Sequence, residues 1–426
     1  MMKTTNRLNF STLLPSLKAQ MTLVVAMAIL FGLVSARGQN VVTSPITLNL
    51  QPEGIGDETV GGDQFYKYGI YASLGGSTTP QLYELDTGAP GFYAAYSTNP
   101  EDDSSAWGTN HPFISTNGGM SYVSSNDYVG NVVGTSVSLY SADGNNGYLT
   151  APVISSGPVG STNIAVGQVT GISSNGVMTW PTNAPPIDGH FYGDFGAALT
   201  TASNGVMNLL GQLNYSNGVI PGFILSLGAS GSTNPTLQIG ISSNQLSQYP
   251  YQFQINGLNT TNPFPSAYGS SNVIPTYAEG AITAAYSFSN SSVNWTNTGA
   301  VVLDTGASGF LRNDTNSTNL DPIIAGKTIT DGVSFNLSLT NTNGVVSLDY
   351  SAVTGTNAGD TTFNVQLGGY YALNIGQDLF HEYNVAYDLQ DGIIAFQPIA
   401  VPEPSICALF GLGLFMIALI RNRRVI

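Results

Sequence analysis

Two short stretches of the chain place an aspartate between an apolar run and a Thr-Gly pair. One is LDTGAPGF, which contains Asp86, and the other is LDTGASGF, which contains Asp304. A glycine after the aspartate lets the backbone turn tightly, and a threonine hydroxyl can hydrogen-bond to nearby backbone groups. Two such turns facing each other would hold two carboxyl groups that share one proton. The ionised group could then activate a water molecule while the protonated group polarises a carbonyl.

The two motifs lie in similar surroundings. Each follows an apolar run, and each is followed later by a segment of apolar residues with a glycine and a phenylalanine, HFYGDFG at 190–196 and NIGQDLF at 374–380. One Asp-Thr-Gly in a chain rich in threonine and glycine is a weak sign of catalysis, but two in matching contexts indicate an internal duplication. The stretch at 259–271 is rich in structure breakers, so we expect the crossing between the halves there.

The elements that position these turns are expected to be strands. Of 426 residues, 42% are hydrophobic and only 8% are charged, which suits a globular protein with a large core. Asn-Gly pairs, each followed by valine, begin at positions 175, 204, 217 and 343 and favour hairpin turns. The sequence therefore predicts an all-β protein, with an N-terminal lobe over 37–262 and a C-terminal lobe over 263–399.

The charge balance excludes some classes of partner. The chain has 10 basic and 25 acidic residues, and its formal net charge is −15. Only Arg37, Lys67, Arg312 and Lys327 lie away from the two ends of the chain. Such an acidic body should repel nucleic acid and anionic lipid.

Metal and thiol chemistry are not expected. The three histidines, His111, His190 and His381, are widely spread and lack the spacing of metal ligands. The single cysteine, Cys407, lies in the C-terminal apolar stretch, so the body of the chain can form no internal disulfide. We therefore expect neither a metal nor an organic cofactor.

The N-terminal residues 1–36 are expected to form a signal peptide. Basic residues precede the apolar run MTLVVAMAILFGLV, and Val34 and Ala36 fit the small-residue pattern before a cleavage site. Signal peptidase should therefore process an exported protein. An uncleaved membrane anchor is the alternative, although the apolar run is short for a span.

The C-terminal residues 400–426 have the pattern of a stop-transfer tail, with an apolar helix expected at 406–420 and arginines after it. The tail resembles the bacterial PEP-CTERM sorting signal through Pro402, Glu403 and Pro404. The resemblance implies transient anchoring in the inner membrane, cleavage by an exosortase, and release to the cell envelope, surface or extracellular matrix. A eukaryotic lipid-anchor signal is the alternative, but such signals end in apolar residues.

The region between these ends, roughly Val41 to Pro398, resembles the pepsin-like aspartic proteases. The stretch YKYGIYASLGGSTTPQLYELDTG is similar to the first hairpin of that family, and GFILSLGASGSTNPTLQIG at 222–240 is similar to a later strand pair. NIGQDLFHEYNVAYDLQDGIIAFQPI is similar to the closing segment. The resemblance implies a bilobal fold in which a cleft separates two similar β lobes.

The same resemblance implies an aspartic endopeptidase that acts as a monomer on an extended peptide. It makes Asp86 and Asp304 the catalytic dyad, and the residues that support the dyad are Thr87, Gly88, Thr305 and Gly306. The family also covers its cleft with a tyrosine hairpin. The stretch SYVSSNDYVGNVVG occupies that place here. We choose Tyr122 as the flap tyrosine and Tyr128 as the alternative. Either residue could equally be an ordinary aromatic side chain of a strand.

Three residues depart from the family pattern. Ala89 and Ala307 stand where pepsins usually have a serine or threonine that bonds the outer carboxylate oxygen, and losing that donor should raise the pH optimum. Glu84 lies two residues before Asp86, so strand alternation places it on the same face, where an inward charge would disturb the shared proton.

Other functions are compatible with parts of the sequence. A protease fold retained as an inactive binding or matrix protein is the main alternative. A serine hydrolase lacks its Gly-x-Ser-x-Gly motif in this chain. A glycosidase would need two carboxyl groups at least about 5 Å apart, whereas an aspartic dyad needs them within hydrogen-bonding distance.

Overall fold

The structure is a computed structural model, and it describes residues 41–60, 63–97, 107–116, 118–122, 126–156, 164–174, 177–180, 190–200, 205–228, 232, 234–255, 276–277, 282–307, 310–313, 321–326, 328–340, 347–355, 363–367 and 372–399. The expected signal peptide, sorting tail and crossing at 259–271 lie outside these residues. Within the described ranges, no helix has the length and apolar character needed to cross a membrane.

Strands dominate the described part of the chain. Up to residue 254 they are β1 Val41–Val42, β2 Ile46–Asn49, β3 Gln51–Val60, β4 Asp63–Leu74, β5 Gln81–Asp86, β6 Phe92–Ala95, β7 Phe113–Ser115, β8 Met120–Ser121, β9 Asn126–Thr135, β10 Val137–Tyr140, β11 Ile154–Ser156, β12 Ile164–Ser174, β13 Val177–Trp180, β14 Gly193–Gly196, β15 Asn214–Tyr215, β16 Ile220–Ser226, β17 Thr236–Ile241 and β18 Tyr251–Gln254.

The later strands are β19 Thr283–Ser289, β20 Asn294–Val302, β21 Phe310–Asn313, β22 Ile324–Ala325, β23 Thr328–Ile329, β24 Ser334–Thr340, β25 Ser347–Val353, β26 Asn364–Leu367, β27 Ala372–Asn374, β28 Tyr383–Asp388 and β29 Ile393–Pro398. The helices are short: α1 Ser243–Leu246, α2 Asp378–Glu382, and 3-10 turns at Leu209–Gln212 and Asp321–Ile323.

Most of these strands belong to three sheets. The N-terminal sheet has the order β11-β10-β4-β5-β14-β6-β12-β9-β7, with β3, β8 and β13 at its sides. The C-terminal sheet has the order β22-β23-β26-β21-β27-β20-β19-β24-β25. The shared sheet, β18-β29-β28-β16-β17-β2, takes strands from both halves and joins them.

The two halves repeat one arrangement of strands. The order β4-β5-β14-β6-β12 in the N-terminal sheet matches the order β19-β20-β27-β21-β26 in the C-terminal sheet. In both, the strand that leads to the aspartate pairs in parallel with the strand of the later glycine segment, β5 with β14 and β20 with β27. The predicted all-β fold with two similar halves is therefore confirmed, while the boundary at 262 and 263 stays a prediction.

Aromatic side chains fill the interior beneath the sheets. Phe288, Phe335 and Phe363 are fully buried in the C-terminal half and contact one another, with ring centroids 4.6–5.3 Å apart. Phe223 of β16 stacks on Tyr387 of β28 at 4.6 Å, within the shared sheet. Each buried ring of this size contributes roughly 2–3 kcal/mol through removal of apolar surface from water. Packing of this kind stabilises the C-terminal sheet and the shared sheet.

Candidate active site

Each predicted aspartate lies at the end of a strand and folds back over its own turn. Asp86 is the last residue of β5, and Asp304 comes two residues after the end of β20. The Gly88 N–H donates to Asp86 Oδ1 at 2.7 Å, and the Gly306 N–H donates to Asp304 Oδ1 at 2.8 Å. The identical bonds show that both Asp-Thr-Gly motifs form the same local structure.

The two threonines lock the turns together. Thr87 Oγ1 donates to the Leu303 carbonyl at 2.9 Å and accepts from the Thr305 N–H at 3.1 Å. Thr305 Oγ1 donates to the Leu85 carbonyl at 2.6 Å and accepts from the Thr87 N–H at 3.0 Å. Both side chains are completely buried, so these four bonds hold the halves in one register.

The glycines let each carboxyl group rest on the opposite turn. A methyl group at Gly88 would collide with the Asp304 carboxyl carbon, and one at Gly306 would lie 2.7 Å from Asp86 Cγ. The Asp86 and Asp304 carboxyl groups therefore each lie over the turn of the other aspartate, and both residues remain partly exposed. Carboxyl groups held over opposite turns in this way could share a proton, as an aspartic dyad would require, whereas a glycosidase would need them at least about 5 Å apart.

The surroundings of Asp86 disfavour its ionised form. Burial raises the pKa of Asp86 well above its ordinary range, and the neighbouring carboxylates of Asp304 and Asp194 raise it further. Glu84 adds a smaller effect in the same direction. A dyad in this environment can retain one proton at a pH where an exposed aspartate has lost it.

Asn374 is a member of the site that the sequence analysis missed. Its Nδ2 donates to Asp304 Oδ2 at 2.5 Å, and its Oδ1 accepts from the Gly376 N–H at 2.8 Å. Asp304 Oδ2 therefore accepts a hydrogen bond from Asn374, although the Ala307 side chain has no group that could donate one. The available signal was a buried polar residue within the apolar segment LNIG.

Glu84 lies on the inward face, as strand alternation predicts, but it has a cationic partner. Its side chain is buried, and Lys67 Nζ lies 2.9 Å from each of its carboxylate oxygens. Asp194 lies directly across from Glu84 in the parallel register of β5 and β14, and it is only 4% exposed. Neither Lys67 nor Asp194 was predicted. An aspartate inside the apolar segment FYGDFG was the signal for Asp194.

Tyr122 reaches the neighbourhood of the dyad. Its N–H donates to the Asn126 carbonyl at 2.8 Å, which closes the hairpin of β8 and β9, and its hydroxyl donates to Asp194 Oδ2 at 2.5 Å. Burial raises the pKa of the Tyr122 hydroxyl well above its ordinary range, so it remains a donor. Tyr128 packs against the Tyr122 ring at 4.9 Å. The Tyr122 hydroxyl therefore contacts Asp194, and the role of Tyr122 as a flap stays a prediction.

The histidines lie in separate places. His111 contacts Gln168 Nε2, His190 contacts Glu53, and His381 contacts the Gly228 carbonyl. Within the described ranges, no group of three or more histidine, cysteine, aspartate or glutamate side chains is arranged to hold a metal ion.

Comparisons with known proteins give a likeness of structure only. No protein-family model matches the chain, and no curated protein matches it. A solved structure that is similar is the crystal structure of an aspartic proteinase from Irpex lacteus, at 12% sequence identity and a TM-score of 0.47. The match covers 85% of this chain and 99% of the other.

Proposed function

We propose that this chain is an exported aspartic endopeptidase in which Asp86 and Asp304 activate a water molecule. One observation carries the proposal: each carboxyl group rests over the glycine of the opposite turn, and the two threonines lock that arrangement. A structural module would gain nothing from bringing two carboxyl groups into contact, because their repulsion costs stability unless a proton is shared.

The chemistry needs no group beyond the dyad and water. The ionised aspartate takes a proton from the water, whose oxygen attacks the carbonyl carbon of the substrate peptide. The protonated aspartate donates to the carbonyl oxygen, so the tetrahedral intermediate carries no full negative charge. The C–N bond then breaks as the nitrogen takes a proton from the aspartate that deprotonated the water, while the other aspartate takes a proton back from a hydroxyl of the intermediate, and a carboxylic acid and an amine leave. The Tyr122 hairpin is the element that would close over an extended substrate.

The test uses the purified full-length chain and a mixed peptide library between pH 3 and pH 7. We expect cleavage, inhibition by a statine-type peptide, and a loss of about 10²- to 10⁴-fold or more in kcat/KM for Asp86→Asn and for Asp304→Asn. Asp388→Asn is the matched control, because Asp388 is a buried aspartate in the shared sheet.

The outcomes separate the competing functions. Cleavage that survives either dyad substitution would rule out the dyad mechanism. A folded wild-type chain that cuts no peptide at any pH would favour the inactive binding or matrix protein. Cleavage of polysaccharide with no effect of the statine-type peptide would favour a glycosidase.

Export and sorting are part of the proposal and rest on the sequence of the two ends. We propose that signal peptidase removes residues 1–36 and that an exosortase acts at the tail that begins at residue 400. Mass spectrometry of the mature protein in the producing bacterium should find both segments absent. Replacing Pro402, Glu403 and Pro404 with alanine should leave the tail attached and the chain in the membrane fraction, and unchanged processing of that variant would contradict the sorting proposal.

A further inference from the structure

The two halves place different side chains at matching positions beside the dyad. In the N-terminal half, Asp194 pairs with Glu84, the residue two places before Asp86. In the C-terminal half, Asn374 pairs with Val302, the residue two places before Asp304. One dyad member therefore has carboxyl groups where the other has an amide and an apolar side chain. This asymmetry bears on which member carries the shared proton.

Two fixed donors meet the carboxyl group of Asp304. The Gly306 N–H donates to Oδ1, and the Asn374 amide donates to Oδ2. An amide nitrogen can only donate, and a hydrogen bond donated to a carboxylate is stronger than one donated to a carboxylic acid. Both oxygens of Asp304 are thus met by fixed donors that a carboxylate accepts best.

The surroundings of Asp86 favour its protonated form. Four groups act on Asp86: Asp304 from the opposite turn, Glu84 from β5, Asp194 from β14 and the Tyr122 hydroxyl from the hairpin. Lys67 from β4 forms an ion pair with Glu84 and also acts on Asp194. The described residues form no such pair with Asp194, so once Asp194 loses its own proton its charge opposes the ionisation of Asp86. Its Oδ2 accepts from Tyr122, but its buried Oδ1 has no hydrogen-bond partner among the residues that the structure describes.

We propose that Asp194 and Asn374 are positioning residues that keep the dyad's proton on Asp86 and leave Asp304 ionised. This inference rests on the proposed function and adds a role for each member. Asp304 is the base that takes the proton from water, and Asp86 is the acid that donates to the substrate carbonyl. Asp194 also holds the Tyr122 hydroxyl, so the same side chain links the hairpin to the protonated member.

The direct test is a pH titration of side-chain carboxyl signals by NMR in protein carrying ¹³C-labelled aspartate. The Asp304→Asn variant reports on Asp86, and the Asp86→Asn variant reports on Asp304. At a pH where Asp304 already gives the signal of a carboxylate, Asp86 should still give the signal of a protonated carboxyl group. Adding Asp194→Asn to the first variant should lower the titration midpoint of Asp86 by at least about 1 pH unit. The reverse order of protonation, or a midpoint unmoved by Asp194→Asn, would overturn the proposal.

A second variant tests the other half of the site, and it also serves if Asp194→Asn does not fold. Asn374→Leu removes the amide donor from Asp304. In the Asp86→Asn background it should move the appearance of the Asp304 carboxylate signal to higher pH. No movement would show that Asn374 does not set the proton's position.

The pH dependence of kcat/KM gives an independent test of the proton assignment. The alkaline limb of the kcat/KM profile should move to lower pH in Asp194→Asn, because an amide replaces the carboxyl group that keeps Asp86 protonated. Asp388→Asn is the matched control, since Asp388 is also buried and one of its carboxyl oxygens finds no hydrogen-bond partner in the described part of the chain, but it lies in the shared sheet. It should leave the profile in place, and an equal shift in both variants would assign the effect to general loss of structure.

The two tests separate this inference from the proposed function. A chain that cuts peptides but protonates Asp304 first would refute only the proton assignment. A chain that shows the expected titration but cuts no peptide would refute the proposed activity and leave the assignment standing.

Discussion

Single polar residues at buried positions decide the character of this site. Asn374 supplies Asp304 with the donor that Ala307 lacks, so the alanine after each Asp-Thr-Gly does not have the same consequence in the two halves. Lys67 likewise offsets part of the inward charge of Glu84, which still raises the pKa of Asp86 but less than burial does. The predicted rise in pH optimum therefore depends mainly on the surroundings of Asp86, and it stays a prediction.

The Lys67–Glu84 pair gives a prediction at this scale. The two side chains are only 17% and 10% exposed, so Lys67→Met would leave a mostly buried carboxylate without its ammonium partner. We expect a loss of about 3 kcal/mol in the free energy of unfolding, measured by urea denaturation. His190→Gln is the control, since the His190 side chain is 77% exposed and its pair with Glu53 should contribute less than about 1 kcal/mol.

The double variant Lys67→Met/Glu84→Gln should recover part of that loss, because the buried carboxylate is then gone. Equal losses in the single and double variants would show that Lys67 acts through packing of its side chain rather than through its charge.

At the scale of elements, the site depends on two turns that exchange hydrogen bonds across the molecule. Each turn is set by its own strand, but neither can satisfy its backbone groups alone, because the Leu85 and Leu303 carbonyls accept from the threonine of the other half. Strands β14 and β27, which pair with β5 and β20, bring Asp194 and Asn374 to the turns. The duplicated strands therefore hold both aspartate turns in the same way. The different residues at matching positions, Asp194 and Asn374, give the two aspartates different surroundings.

Removing one threonine hydroxyl should damage both turns. Thr87→Val would leave the buried Leu303 carbonyl and the buried Thr305 N–H without partners, at a cost of about 2–4 kcal/mol. Hydrogen exchange at the Thr305 amide should accelerate in this variant. Thr87→Ser keeps the hydroxyl and should preserve that protection. Fast exchange in both variants would place the effect in the lost methyl group instead.

At the scale of the whole molecule, an acidic chain buries several carboxyl groups that prefer to be protonated. Burial is the first cause of a raised pKa at Asp86, Asp194 and Asp388 alike. A group with a raised pKa binds protons more tightly in the folded state than in the unfolded state, so its contribution to stability is lost as the pH rises through the raised value. The net charge of −15 adds repulsion that also weakens in acid.

The folded chain should accordingly be more stable at pH 5 than at pH 8. The difference in the free energy of unfolding should be on the order of 2 kcal/mol, from denaturant titrations at constant ionic strength. Asp194→Asn should reduce this dependence on pH. Greater stability at pH 8 than at pH 5 would mean that these carboxyl groups are already ionised in the fold.

The sequence alone determined the strand-rich fold and the two aspartate turns, because both are encoded within a few neighbouring residues. An Asp-Thr-Gly turn is made by bonds that span two positions, from Gly88 to Asp86 and from Gly306 to Asp304. Glu84 could also be placed on the inward face, since alternation along a strand is a local rule.

Only the tertiary structure decided what surrounds the carboxyl groups. Asn374 bonds a residue 70 positions away, Tyr122 bonds one 72 positions away, and Thr87 and Thr305 bond across 218 positions. No local pattern specifies such partners, because they meet only when strands from distant parts of the chain pair in a particular register. The proton position that we propose follows from those long-range contacts, since charge and hydrogen bonding act through space and not along the chain.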